Sequence, residues 1–358
     1  MHFPFTIRTS LPQNSQHAVE RWLATPLTSR YVFGRTEIAR KILKYYPAAG
    51  VVDDFTQELD FDGYPIVRSS AIPCKSPVLS AVIGKPATVK RVCEQQGLDH
   101  IDFFAFQKYC DKPEISLRFW HESPGDIVEH TDAYSSLWSS LVDDESRKVL
   151  TSVLSLRLSG DLSAMDGFTE RQHEQYFESF LNLKSDGEVF LDVGGYDGAT
   201  SIEFAIRCPG YGAIHVFEPD PMNIAILNTL SKSMPRMKIH PIALGKESAT
   251  LRLTSNLSRS QVSTDGEHSV KQLRLDDLEL GHGSLLKMDI EGAELDAIEG
   301  AKEFIRQQQP RLAIAAYHKV DDLWRIPAAI APLMDAEIYL RHYTEGLDET
   351  VMFFIPRP

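Results

Sequence analysis

The sequence predicts an α/β protein with a small Rossmann-like domain over residues 1–110, a helical connector or lid over 111–186, and a larger, seven-stranded Rossmann-like domain over 187–358. Three observations carry this prediction. The first is EVFLDVGGYDGATS at 188–201, where an apolar run meets a glycine turn and then a helical pattern. The second is the alternation of short apolar runs with helical stretches on both sides of the connector. The third is a series of polar residues placed where those runs end.

Composition sets the outer bounds. At 358 residues the chain is long enough for two domains, each with its own core. The four cysteines, Cys74, Cys93, Cys110 and Cys208, form no close pair, which argues against a zinc site of the usual spacing and against a disulfide framework. A formal charge of −13 disfavours nucleic acid as a main partner, because phosphates need basic neutralisation. No run is long and apolar enough to span a bilayer, and MHFPFTIRTSLP lacks the blocks of a signal peptide, so a cytoplasmic location is expected.

Residues 1–30 show no clear period and read as a leader packed across a surface. From Tyr31 onward, YVFG, AAGVVDDF, YPIVRSSAI, SPVLSAVIG and IDFFAFQ read as strands, with TEIARKILKYY and ATVKRVCEQQGL as helices between them. The glycine turn of this domain is degraded. Gly34 is followed by Arg35 and Thr36, and Ala39 takes the place of a third glycine. Asp53 and Asp54 end the second strand, where an acid would hold a ribose. A nucleotide pocket and a pocket given over to packing both fit; one glycine of three favours packing.

In the connector, SLWSSLVDDESRKVLTSVLSLRLSG and ERQHEQYFESFLNL carry apolar residues at helical spacing. Gln175, Tyr176 and Phe177 stand either to close over a ligand or to anchor the sheet edge.

The second domain alternates more cleanly. Its first strand ends at Asp192, and the turn that follows holds Gly194, Gly195, Tyr196, Asp197 and Gly198. Glycines let the backbone pass close to a ligand, and the helix start offers free N–H groups. A carboxylate at this strand tip would repel a pyrophosphate and welcome a cation, although a tight turn with no ligand has the same spacing. AIHVFEPDP then ends in Glu218 and Pro219, about 25 residues on, near the offset at which an acid takes ribose hydroxyls. MKIHPIALG reads as the third strand, with Ala243 and Leu244 at its end beside an adenine. The serine-rich stretch through Ser269 reads as a long polar loop that covers a site or lies on the surface.

SLLKMDIEGAELDAIEGA gives a fourth strand ending at Asp289, with Glu291 and Glu294 where a helix dipole by itself favours acids. RLAIAAYHK is the fifth strand, leaving Tyr317 and His318 at its end. EIYLRHY is the sixth, tipped by Arg341 and His342, and ETVMFFIP closes the sheet as an antiparallel partner. Asp192, Glu218, Asp289, His318 and His342 therefore all fall at carboxyl ends of strands, the edge along which open α/β sheets bind ligands. S-adenosylmethionine, with its sulfonium, ammonium and ribose, suits that set. NAD suits Glu218 alone, and neither domain has the full glycine fingerprint. A non-catalytic scaffold that keeps the fold is the third reading.

LDVGGYDGATSIEF, VFEPDP, IALG, LDDL, LLKMDIEGAELDAIEGA and YHKVDDLWRIPAAI with YLRHY together resemble the FkbM family of S-adenosylmethionine-dependent methyltransferases, over residues 188–356. The first domain and the connector, with DDESRKVL and EQYF, are similar to longer members often encoded with surface-polysaccharide genes. Tyr196 and Asp197 depart from the asparagine and small residue usual at those places. The resemblance implies a class I methyltransferase sheet and O-methylation of a hydroxyl, expected on a sugar of a surface polysaccharide, glycolipid or nucleotide-sugar precursor. The expected cofactor contacts are Asp192, Gly194, Gly195, Tyr196, Asp197, Gly198, Glu218, Pro219, Ala243 and Asp289. Among these, the glycine turn would hold the methionine part, Asp192 its ammonium and Glu218 the ribose. His318 is the expected base, with Asp289 or Glu291 orienting it or the acceptor, and Asp289 with His318 is the alternative seat of a divalent metal. Trp324, Arg341 and His342 are expected to touch the acceptor, a small molecule or a glycan. A homodimer is compatible with this picture.

Overall fold

The computed structural model describes residues 3–256, 259–262 and 268–357. The chain divides into two compact units. One comprises Met1–Ser135, Arg147–Gln172 and His342–Asp348, and the other Ser136–Ser146, His173–Arg341 and Glu349–Pro358. The stretch read from the sequence as a separate connector is thus shared between the two.

In the first unit, β1 (Tyr31–Phe33), β2 (Gly50–Val52), β3 (Asp60–Phe61), β4 (Tyr64–Val67), β5 (Pro77–Ser80) and β6 (Asp99–Ile101) form a sheet in the order β3-β4-β2-β1-β5-β6. All pairings are parallel except the β3–β4 hairpin. The leader proves to be a helix, Gln13–Ala24, whose Ala18, Val19 and Trp22 bury into the core beside Ile42, Val51 and Phe106. Three buried positions in one short helix are too few for a period to stand out. The run Phe103–Gln107 is helical rather than a strand, because Asp102 accepts the Ala105 N–H at 2.8 Å and caps it. Burial on every side gives that turn a strand-like composition.

The degraded nucleotide turn is filled by protein. Arg35 Nε donates to Asp53 Oδ2 at 2.7 Å, and Asp53 Oδ1 accepts the backbone N–H groups of Phe55 and Thr56. Asp54 takes both the N–H and the hydroxyl of Ser69. Both acids placed to hold a ribose are engaged. Helices Thr131–Ser140 and Asp144–Ser159 form as the spacing predicts. ERQHEQYFESFLNL does not become a helix; it makes single turns, Gln172–Glu174 and Ser179–Leu181, with Tyr176 (φ +72°) and Asn182 (φ +49°) left-handed.

In the second unit the strands are β7 (Val189–Val193), β8 (Ala213–Phe217), β9 (Met237–His240), β10 (Ile242–Leu244), β11 (Ala249–Asn256), β12 (Arg259–Val262), β13 (His268–Leu273), β14 (Leu285–Met288), β15 (Arg311–Ala315), β16 (Ala336–His342) and β17 (Thr350–Pro356). Seven of them form the main sheet in the order β16-β17-β15-β14-β7-β8-β9, with β17 antiparallel to β15. The central strands β14 and β15 are buried almost throughout, as a parallel sheet covered on both faces requires. The third strand is cut at Pro241, which has no N–H to give the ladder. Beyond it, β10 leaves the main sheet to pair with β13, so His240 rather than Ala243 tips the third main-sheet strand. The serine-rich stretch read as a loop contributes strands to this second sheet, ordered β10-β13-β11-β12, while 257–258 and 263–267 lie outside the described residues. Among the described residues no helix is long and apolar enough to cross a membrane.

Candidate functional site

The site is built where β7, β8, β14 and β15 end. Asp192 on β7 and Lys287 on β14 are direct partners in the ladder. Lys287 Nζ lies 3.1 Å from Asp192 Oδ1 and donates to the Gly194 carbonyl at 2.6 Å, while Ser201 Oγ donates to Asp192 Oδ2 at 2.7 Å. Both charged side chains are buried. Burial pushes the lysine toward its neutral form, but Asp192 beside it outweighs this and raises its pKa. The expectation that Asp192 meets the ammonium of a ligand is therefore corrected: its charge is engaged inside the sheet and holds the turn. Sequence reading missed Lys287, although a lone cation in the apolar run LLKM signals that a partner must be near.

The glycine turn is closed by its own packing. A Cβ on Gly194 (φ +83°) would fall 1.9 Å from the Asp289 carbonyl oxygen, so the turns after β7 and β14 can touch only if this residue is glycine. Across the turn, Glu218 accepts the N–H of Tyr196 at 2.9 Å on one oxygen and that of Asp220 at 2.9 Å on the other. Burial raises the Glu218 pKa against the pull of these bonds. The Tyr196 side chain and Asp197 face solvent, and Asp197 Oδ1 accepts the Ala199 N–H at 3.0 Å, steadying the helix start. Next to Glu218, the His240 ring stacks on Phe217 at 4.6 Å, and its Nε2 is 3.0 Å from Nδ1 of His215. Burial lowers the pKa of both histidines.

The ends of β14 and β15 bring together an acidic cluster around a buried histidine. His318 Nδ1 meets Glu294 Oε1 at 2.8 Å, and Nε2 lies 3.3 Å from Asp289 Oδ1 and 3.9 Å from Glu291 Oε2. Glu294, expected only as a helix-dipole acid, is wholly buried, and its Oε1 also accepts the Ile290 N–H at 2.9 Å. Asp322 Oδ2 takes the backbone N–H groups of His318 and Lys319 and fixes the end of β15. Tyr176 donates its hydroxyl to Asp289 Oδ2 at 2.7 Å, and Gln175 Nε2 donates to the Tyr176 oxygen at 2.9 Å. Burial by itself would make His318 neutral, but the Glu294 hydrogen bond and the charges of Asp289 and Glu291 raise its pKa to about 9. The acids around it thus favour the protonated ring, which corrects the expectation of a ready base: His318 offers a lone pair at Nε2 only once that proton is displaced, as a cation bound there would do.

Residues 192–344 match the family described as Methyltransferase FkbM domain. The chain carries an FkbM methyltransferase domain. It is 33% identical over 147 residues to the 2-O-methyltransferase NoeI of Sinorhizobium fredii (strain NBRC 101917 / NGR234), a match covering 34% of this chain and 60% of that one. The chain thus spans less than two thirds of this relative's length. The crystal structure of methyltransferase FkbM from Methylobacillus flagellatus KT shares the fold, with a TM-score of 0.73 at 22% identity over 97% of this chain and 94% of that one.

Not every expected residue reaches the cluster of the FkbM domain. Arg341 is buried, gives its guanidinium to Asp143 (2.6 Å) and Ser146 (2.8 Å), and lies 5.0 Å over the Phe180 ring. An arginine held this way is a structural tie, which corrects its expected contact with the acceptor. His342 falls in the first unit, edge-on to Phe168 at 5.3 Å, and burial depresses its pKa to about 3. It is a neutral core residue, not a polar contact at the rim. Trp324 stands half-buried on the helix Asp322–Ile330, two residues after the aspartate that holds His318.

Proposed function

We propose that the FkbM domain transfers a methyl group from S-adenosylmethionine to a hydroxyl oxygen, on a sugar of a surface polysaccharide, glycolipid or nucleotide-sugar precursor, in the cytoplasm. The observation that carries this reading is the placement of Glu218 beside a glycine turn that backs directly onto Asp289. A ribose diol fits Glu218, which still has acceptor capacity after its two backbone bonds. The methionine part fits the Gly194–Gly198 turn with Tyr196 and Asp197, and the adenine the side of Pro219 and Ala243. Surplus negative charge at Asp289 and Glu291 favours a sulfonium and opposes the pyrophosphate of NAD. The similarity to NoeI, a 2-O-methyltransferase, supports oxygen as the methylated atom.

When bound, the cofactor supplies an electrophilic methyl group on a positive sulfur. The chain's part is to hold the acceptor oxygen in line with the carbon–sulfur bond, and positioning of this kind supplies much of the rate of a displacement. Asp289, fixed from behind by Tyr176, would help to aim that oxygen. Trp324 offers an apolar face to a sugar ring.

Calorimetric titration with S-adenosylhomocysteine tests the reading, with NADH and the variant Glu218→Ala in parallel. Micromolar binding that is lost in the variant, with no heat from NADH, is the expected result. A folded protein that binds NADH, or neither compound, overturns it. Glu218→Ala is preferred to Asp192→Ala as control, because the latter strands Lys287 in the sheet.

A further inference from the structure

We propose that Asp289 Oδ1, Glu291 Oε2 and His318 Nε2 hold one divalent metal ion, with Glu294 and Tyr176 fixing the ligands from behind. The donor spacing supports this. Two ligands at about 2.1 Å from one ion lie about 3.0 Å apart in octahedral and about 3.4 Å apart in tetrahedral geometry; Asp289 Oδ1 and His318 Nε2 are separated by 3.3 Å. Glu291 Oε2 lies 3.9 Å from the same nitrogen, about 0.5 Å beyond the tetrahedral spacing. The His318 ring is shielded from solvent, yet its Nε2 has no hydrogen-bond partner, and it is aimed at these carboxylates. A buried polar atom of that kind wants a ligand.

The surroundings have the form that ligating side chains take. A metal-bound histidine gives its other ring nitrogen to a carboxylate, and a ligating carboxylate is itself hydrogen-bonded. Glu294 does the first at Nδ1 (2.8 Å), and Tyr176 the second at Asp289 Oδ2 (2.7 Å). Asp289, Glu294 and His318 also form a group of potential ligands within 4.8 Å of one another among the described residues. Glu294 itself, on the Nδ1 side of the ring, is placed to orient rather than to ligate. Asp289 and Glu291 remain about a quarter exposed, at 24% and 28%, so the ion would be reached from solvent and keep open positions.

Two carboxylate oxygens and one imidazole nitrogen suit Mn²⁺, Fe²⁺ or Zn²⁺ better than Mg²⁺, which prefers oxygen alone. Resting on the methyltransferase reading, the ion's role would be to bind the acceptor hydroxyl and lower its pKa. The hydroxyl proton passes to solvent, the oxygen forms a bond to the methyl carbon, and the carbon–sulfur bond breaks with its electron pair left on sulfur.

The test is titration of the chelator-treated full chain with Mn²⁺, followed by electron paramagnetic resonance, with Zn²⁺ as competitor. Wild type, Glu291→Gln, His318→Gln and Tyr176→Phe are compared, and S-adenosylhomocysteine binding is measured on the same samples. One tight Mn²⁺ per chain is expected, displaced by Zn²⁺, lost in the first two variants and weakened about tenfold in the third. The partly exposed Glu291→Gln keeps the test open should His318→Gln fail to fold. A folded wild-type chain that takes up no Mn²⁺ or Zn²⁺, or takes it up equally well as Glu291→Gln, overturns the site. S-adenosylhomocysteine binding without metal sinks this proposal alone; metal binding without S-adenosylhomocysteine sinks the methyltransferase reading alone.

Discussion

Lys287 stands directly across the ladder from Asp192, and its ammonium reaches both that carboxylate, at 3.1 Å, and the Gly194 carbonyl, at 2.6 Å. One buried cation thus joins β7, β14 and the glycine turn. Lys287→Met removes it and leaves a buried carboxylate uncompensated, which should destabilise the protein by about 3–5 kcal/mol. Adding Asp192→Asn should recover a large part of that loss. Urea unfolding of the two single variants and the double variant gives the coupling directly; simple additivity would show that the pair is not a unit.

The phenol of Tyr176 touches Asp289 but makes no backbone bond that holds the fold. Tyr176→Phe should therefore cost only about 1 kcal/mol of stability. Methyl transfer should slow about tenfold, while S-adenosylhomocysteine binds as before. Single-turnover rates beside calorimetry separate the two effects, and an equal loss in both would make Tyr176 a cofactor contact instead.

Burial holds His342 neutral, with its pKa depressed to about 3, while an unfolded histidine titrates near 6.5. Below the unfolded value the unfolded chain binds the extra proton, so stability falls as pH drops from about 6.5 toward 3. His215, depressed to about 4, adds in the same direction. His342→Phe should flatten the loss of stability between pH 6.5 and pH 4 relative to wild type. Parallel unfolding curves at those two pH values decide it; an unchanged slope would mean that His342 is solvated in the folded state.

Arg341 and Asp143 close at 2.6 Å, and although burial opposes it, the arginine's hydrogen bonds hold the Asp143 pKa down to about 2. A third of the Asp143 side chain is exposed, so the loss in Arg341→Ala should be moderate, about 1–3 kcal/mol. The Michaelis constant for the acceptor should not move. A rise in that constant at unchanged stability would restore Arg341 to the acceptor site.

Much of the fold was legible because it rests on short-range pattern. Strand, glycine turn and helix at 188–201, the alternation that follows, and the acids at the ends of β8 and β14 are fixed by residues within a few positions of one another. Where pattern failed, a local device overrode it: the cap at Asp102, the break at Pro241, the left-handed Tyr176.

By itself, then, the sequence determined the two α/β units, the main sheet, and the rim that carries Glu218, Asp289 and His318. Only the tertiary structure decided what those side chains are. Asp192 becomes a strut because strand order sets β14 against β7, bringing Lys287 opposite it. His318 is no ready base because Glu294, from the helix after β14, meets its Nδ1 and favours the protonated ring. Arg341, which read as an acceptor contact, is drawn inward by Asp143. In each case the charge state depends on a partner distant in the chain and on the loss of water around the pair, and neither is written in local spacing.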